Sequence, residues 1–419
     1  MSAKLPQPTP FFHSDGIVPV TASSRRSGIG LLDLYKTSAL VIILCLVYLE
    51  IPNYIDSRNK AFLPKYFYYS FFVVVAPLLI LRFNSLRSYL ISPFSLWVFA
   101  LVVLNITHFS FALLDGDQDR ASLIDTRIQH AVLVVLLGFA CSITRTAAYE
   151  RIFPFLAVVI AATVIVNFLY PEVFYLPGSK GSVIGRPAAT FLNPNNAGEA
   201  MLLTFLLAIP VLRPRYRALL LLLVGAGVIQ TFSRSAILGW MLLWFFLLLT
   251  KGLSKYTLAV PLLALGALPV LLGSFETYLM GREDLAEGLD DILARVEFFR
   301  VQVFDDPSSQ ERAQVLALGL DLFFQNPVFG AGAGATHLWS DRGSTHNQLV
   351  MLAAEYGMFG IVLWAWVAVI LWKGKYFQDK KLQLVAVAGF IFLSMFSHNI
   401  FDIVYWLLTL ALVSGQRRA

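Results

Sequence analysis

Charge is scarce in this chain. Only 14% of its 419 residues are Asp, Glu, Lys or Arg, 58% are hydrophobic, and the mean hydropathy is +0.70. Soluble domains carry about a quarter charged residues, so this composition excludes one. Cysteine is scarcer still, with Cys45 and Cys141 both inside apolar runs. They read as small buried hydrophobes, and no disulfide framework or redox motif is available. Period-two alternation of polar and apolar residues is missing, which excludes a membrane β-barrel. There is no Walker sequence, no G-x-S-x-G elbow and no Cys/His ligand cluster. Residues 1–30 contain four prolines and no apolar core of the signal-peptide kind, so this arm is expected to be a cytoplasmic tail.

Long apolar runs are what the chain does have. A helix needs roughly 20 residues to cross a bilayer, and the expected fold is all-α, a polytopic membrane helical bundle. Hydropathy places twelve spans, at 36–51, 65–81, 93–114, 128–144, 152–170, 197–212, 217–231, 235–250, 256–273, 347–372, 382–396 and 401–414. The expected division is a tail over 1–30, spans one to nine over 31–273, a polar interlude over 274–346, and the last three spans with a short tail over 347–419.

Charge distribution orients the bundle. One set of alternate connections, with both termini, holds 19 Lys/Arg against 4 Asp/Glu, including Arg213, Arg215, Arg217, Lys251, Lys373 and Lys375. By the positive-inside bias this side is cytoplasmic. The sequence pI of about 9.2 therefore reports topology, and a nucleic-acid partner is not implied. Parity then puts the connections around Arg186, around Arg234 and across 274–346 on one outer face.

The interlude reads as helical. Ile292, Val296, Phe299 and Val303 recur at helical spacing, as in an amphipathic helix lying on the membrane. A second helix is expected to open on Ser308-Ser309-Gln310-Glu311, a capping box with Arg312 in its first turn, and to stop at Asn326-Pro327. The run Gly330-Ala331-Gly332-Ala333-Gly334 allows close backbone approach to an anion, although turn geometry alone accounts for most such runs. His346 precedes an apolar helix, whose positive end favours a neutral imidazole able to accept a proton. His108, His130, His337 and His398 read as ordinary packing or interfacial residues.

Arg234 sits in a very short connection between apolar helices, where a guanidinium is costly and usually paired or functional. Arg186 precedes Asn193-Pro194-Asn195, a turn in which Asn caps the following helix. Guanidinium forks suit phosphate oxygens. The run Asp115-Gly116-Asp117-Gln118-Asp119 fails as a calcium loop, because Arg120 and Thr126 stand where Gly and Glu are required.

Together these residues resemble a known family, the O-antigen ligase and polymerase superfamily of bacterial inner-membrane glycosyltransferases. The resemblance lies in Arg186 with Asn193-Pro194-Asn195, in Phe232-Ser233-Arg234-Ser235, and in Arg312 through Gly360, with Asn326-Pro327-Val328-Phe329-Gly330, His346-Asn347 and Glu355-Tyr356-Gly357 in that order. It covers about the second half of the chain. Twelve spans with one dominant interlude, and no soluble domain after the last span, look most like the ligase.

The resemblance implies a GT-C-like bundle in a Gram-negative inner membrane with its site facing the periplasm. It implies transfer of a polysaccharide from undecaprenyl diphosphate to a hydroxyl of lipid A-core, with inversion and with neither metal nor cofactor. His346, Arg234 and Arg312 would be catalytic, and Arg186, Asn193, Asn195, Gly332 and Asn347 would bind substrate. An O-antigen polymerase is the alternative within the superfamily. A transporter or flippase for an anionic lipid-linked glycan is the alternative outside it, and the near absence of charge deep in the spans argues against it.

Overall fold

A computed structural model describes residues 31–59, 62–144, 146–175, 186–254, 307–337, 345–397 and 399–415. The ninth expected span and the amphipathic helix near 290–306 lie outside them, as do the N-terminal arm and His398. Among the described residues the structure is helical, with no strand.

The first half contains α1 (Leu31–Tyr48), α2 (Ile51–Arg58), α3 (Pro64–Leu81), α4 (Phe83–Leu90), α5 (Pro93–Leu114), α6 (Gln118–Ile143), the single turn α7 (Thr146–Tyr149) and α8 (Ile152–Leu169). The second half contains α9 (Pro194–Ala208), α10 (Pro214–Gln230), α11 (Arg234–Leu249), α12 (Pro307–Gln325), α13 (Gln348–Tyr356), α14 (Met358–Lys373), α15 (Lys380–Ser394) and α16 (Val404–Ser414). Five stretches are long and apolar enough to cross a membrane, Leu31–Tyr48, Pro64–Leu81, Pro93–Leu114, Gln118–Ile143 and Thr146–Leu169, and three shorter apolar helices follow. The chain is a multi-pass membrane protein; a count of twelve spans is not established.

Local chemistry sets the helix starts. Proline stands at the first helical positions of α3, α5, α9 and α10, where its missing N–H costs nothing. Ser92, Asp117, Asn193, Ser233, Asn347 and Asp379 each cap a helix by accepting a backbone amide. Asp117 thus serves α6, and the acidic run around it is a helix entry.

Three expectations change. The fourth span begins earlier, because the polar stretch 118–127 continues the same helix as α6. The tenth is two helices, broken at Gly357 with φ 62° and ψ −141°, a conformation in which glycine avoids the penalty of a Cβ. A Cβ there would strike the carbonyls of Pro327 and Val328. Arg312 falls in the second turn of α12, since that helix begins at Pro307. The side chains of Ser308 and Ser309 lie outside the described residues.

The bundle has two chemically distinct ends. At one, Arg217 donates to the carbonyls of Ile209, Leu212 and Gly252, Tyr376 to Leu207, and Gln383 to Gly374 and Phe377. These are the basic connections. At the other, Arg186 reaches the turn before α11, Tyr405 donates to the Asn196 carbonyl, and Gln348 accepts the Ile400 amide. Buried Trp97, Trp244, Trp406, Tyr48 and Tyr356 fill the space between.

Candidate functional site

Three helix entries converge at the second end. Arg234 is the first residue of α11, 6% exposed, with Ser233 capping ahead of it and Phe232 at φ 50°. A cation at a helix N-terminus works against the helix dipole, so the two together make a concentrated positive potential. Arg312 projects from α12. His346 precedes α13, which Asn347 caps by accepting the Val350 amide at 3.1 Å. Its own φ is 48°, a left-handed conformation uncommon for a non-glycine residue.

Arg234, Arg312, His346 and Asn347 line one cavity of about 280 Å³, with Ser235, Thr345 and the apolar Leu238, Ala313, Leu316, Met395 and Phe396 completing its wall. Burial holds the His346 imidazole down to about 4, helped by the Arg312 guanidinium and opposed by Glu311. The ring is therefore neutral at ordinary pH. Two guanidinium groups and the positive end of α11 suit the cavity to an anion.

An apolar groove, lined also by α9, α14 and α16, lies along α11 and α15. One turn below Leu238 and Phe396 it is lined by Gly239, Leu242, Gly389, Phe392 and Leu393. A Cβ on Gly389 would meet nothing within 4 Å. The groove lies on α11 and α15, and the cavity on α11 and on Met395 and Phe396, just past the end of α15.

Arg186 lies beside this cavity, among residues that support its wall. It is buried, donates through Nε to the Thr231 carbonyl at 3.0 Å and through Nη2 to Asn195 Oδ1 at 3.2 Å, and so grips the turn leading into Arg234. Asn193 caps α9 by accepting the Asn195 amide. Gly332 is placed elsewhere. Its amide donates to the Glu355 carbonyl and that of Ala331 to Ala354, while Arg120 takes the carbonyls of Ala331 and Ala333. With these two amides spent, the glycine-rich run serves as a clasp on the end of α13, and a Cβ at Gly332 would overlap the Arg120 guanidinium.

Sequence reasoning missed a second polar cluster. Arg127 donates to Glu355 at 2.6 Å and pairs with Asp402 at 2.8 Å. His337 stands 3.4 Å from Glu355, Thr336 donates to the same carboxylate at 2.7 Å, and Tyr356 donates to Asn105 at 2.8 Å. His130 meets the Asp402 carbonyl at 2.6 Å. The interior is therefore less free of charge than the sequence suggested, for Glu199 is buried too, against Trp406 Nε1 at 2.7 Å. The available signals were Glu199, Glu355 and Asp402 within apolar runs, since an ionisable residue there calls for a partner. Among the described residues no group of three or more His, Cys, Asp or Glu is arranged to hold a metal ion.

No curated protein matches the chain. Residues 218–365 match the family model described as O-antigen ligase. That segment runs from α10 into α14 and supplies Arg234, Arg312, His346 and Asn347, every charged or imidazole group of the cavity wall, and the match supports the O-antigen ligase superfamily.

Proposed function

We propose that the protein transfers a polysaccharide from a polyprenyl diphosphate, of the undecaprenyl class, to a hydroxyl of a glycolipid acceptor of the lipid A-core kind, on the periplasmic side of a Gram-negative inner membrane. The observation that carries this reading is the cavity in which His346 meets Arg234 and Arg312. A base for the incoming hydroxyl and fixed positive charge for a departing diphosphate are what such a transfer needs.

The neutral imidazole of His346 takes the acceptor hydroxyl proton as the oxygen attacks the anomeric carbon. The bond from that carbon to the diphosphate oxygen breaks, and its electron pair leaves with the diphosphate. Arg234 and Arg312 stabilise the charge that accumulates there, and Arg186 holds the turn that aims Arg234. A diphosphate is already a good leaving group, so guanidinium charge suffices without a separate acid. Displacement from the opposite face inverts the anomeric centre. Asn347 holds the start of α13 in place beneath His346, and the apolar groove between α11 and α15 accommodates the near end of the lipid tail.

The test is a deletion strain complemented with wild type or His346→Ala, read on a lipopolysaccharide gel beside the lipid-linked pool. Long polymer accumulating on the carrier, with uncapped lipid A-core, is expected. Accumulated single repeat units would identify a polymerase, and carrier left unprocessed on the cytoplasmic face would identify a flippase.

A further inference from the structure

Arg127 takes no part in the transfer chemistry, yet it closes a ring of contacts with the helix that follows His346. Its Nη1 meets Glu355, in the last turn of α13, at 2.6 Å. At the other end of α13, Gln348 accepts the Ile400 amide at 2.8 Å. Two residues further on, Asp402 returns to Arg127, at 2.8 Å from Nε and 3.2 Å from Nη2. Arg127, Gln348 and Glu355 are 4%, 0% and 0% exposed.

The ring has mechanical content. α13 has 9 residues, and at 1.5 Å per residue it is a rod of about 13 Å. Pinned at both ends, such a rod neither rolls nor slides. His346 lies two residues beyond the pinned N-terminal end. The segment 399–403 follows Met395 and Phe396, which line the same cavity as His346. A guanidinium is the side chain suited to this junction, because its fork serves two carboxylates on two segments while an ammonium is a single point charge. The network is not explained as a source of stability alone, since a buried ion pair roughly balances its own desolvation.

We infer that Arg127 is a positioning residue, which by joining Glu355 of α13 to Asp402 of the 399–403 turn fixes where His346 stands relative to Met395 and Phe396 in the cavity. Its kinetic consequence rests on His346 being the base; its structural consequence does not.

Arg127→Lys tests this, with kcat normalised to folded enzyme. The expected signature is a kcat lower by about 10- to 100-fold, the scale of a 1 Å misplacement, with the donor KM little changed. Faster hydrogen exchange is expected at the Val350 and Met351 amides, which bond to Asn347. Gln348→Met breaks the ring at its other end and should show the same signature, so it decides the matter if the lysine variant fails to fold. Tyr376→Phe, which removes a buried hydrogen bond to Leu207 at the far end of the bundle, should lower stability without lowering kcat.

Wild-type kcat per folded molecule in either ring variant, whatever the loss of stability, would overturn the inference. Activity surviving in His346→Ala would instead remove the base assignment, and amide exchange in the two ring variants would still decide whether the ring positions α13.

Discussion

The protonation of His346 offers the sharpest test of the chemistry. An imidazole of ordinary pKa, ~6.5, is only about a tenth neutral at pH 5.5, whereas one held at about 4 is about 97% neutral there. If His346 is the base, kcat/KM, which reports the free enzyme, should stay near its plateau at pH 5.5 and fall only toward pH 4. The limb of kcat should lie higher, because bound diphosphate favours the imidazolium. A cavity of about 280 Å³ is about 8 Å across as a sphere, and one negative charge at that distance is worth about 2 kcal/mol at an effective dielectric near 20. That moves the kcat limb up by about one and a half pH units. Arg312→Met removes a like charge and should raise the kcat/KM limb as well. Initial rates of glycan transfer from a lipid-linked donor, measured in reconstituted membranes from about pH 3.5 to about pH 8, give both profiles. A kcat/KM limb near the ordinary histidine value, unmoved by Arg312→Met, would refute the reasoning.

Other substitutions address single features. Arg234→Lys keeps the charge but loses the fork, and kcat/KM for the diphosphate donor should fall by about 10- to 100-fold, the worth of one charged hydrogen bond; full activity would argue against phosphate contact. Gly389→Leu has room to fold, since nothing lies within 4 Å of the added Cβ. It should raise KM for a long-chain donor while sparing one truncated to a few isoprene units, and equal effects on both would remove the tail from this groove. Gly357→Ala forces a strained backbone and a clash with Val328, and a loss of about 2–3 kcal/mol should appear in detergent unfolding curves.

Much of the site could be read in the sequence because its parts are local. Arg234, the His346-Asn347 pair and the Asn193 turn each lie at a helix entry, and capping residues with apolar runs announce helix entries. Charge asymmetry placed these entries at one end, where Arg234, Arg312 and His346 indeed share a cavity. What escaped depends on contacts between distant segments. Arg127 meets Glu355 and Asp402 across 228 and 275 residues, a separation that no spacing rule can bridge. Gly357 looked like an ordinary glycine in an apolar helix; the break there comes from the carbonyls of Pro327 and Val328 pressing against it. The glycine-rich run was read for its amides, and two of these are consumed by the carbonyls of Ala354 and Glu355.

Helix length carries a further consequence. Scaffold helices α1, α3, α5, α6 and α8 have 18, 18, 22, 26 and 18 residues. The apolar helices that line the cavity and groove, α9, α11, α14, α15 and α16, have 15, 16, 16, 15 and 11. At 1.5 Å per residue the second set measures about 17–24 Å against a hydrocarbon slab of about 30 Å. The bilayer thins to meet these helices, or their ends sit below its surface. Either way, in the transfer proposed above the reacting sugar would be drawn down from bulk water. An activated glycosyl donor loses its sugar to water wherever water is plentiful, so a shallow floor under a tall wall favours capture by the acceptor over hydrolysis.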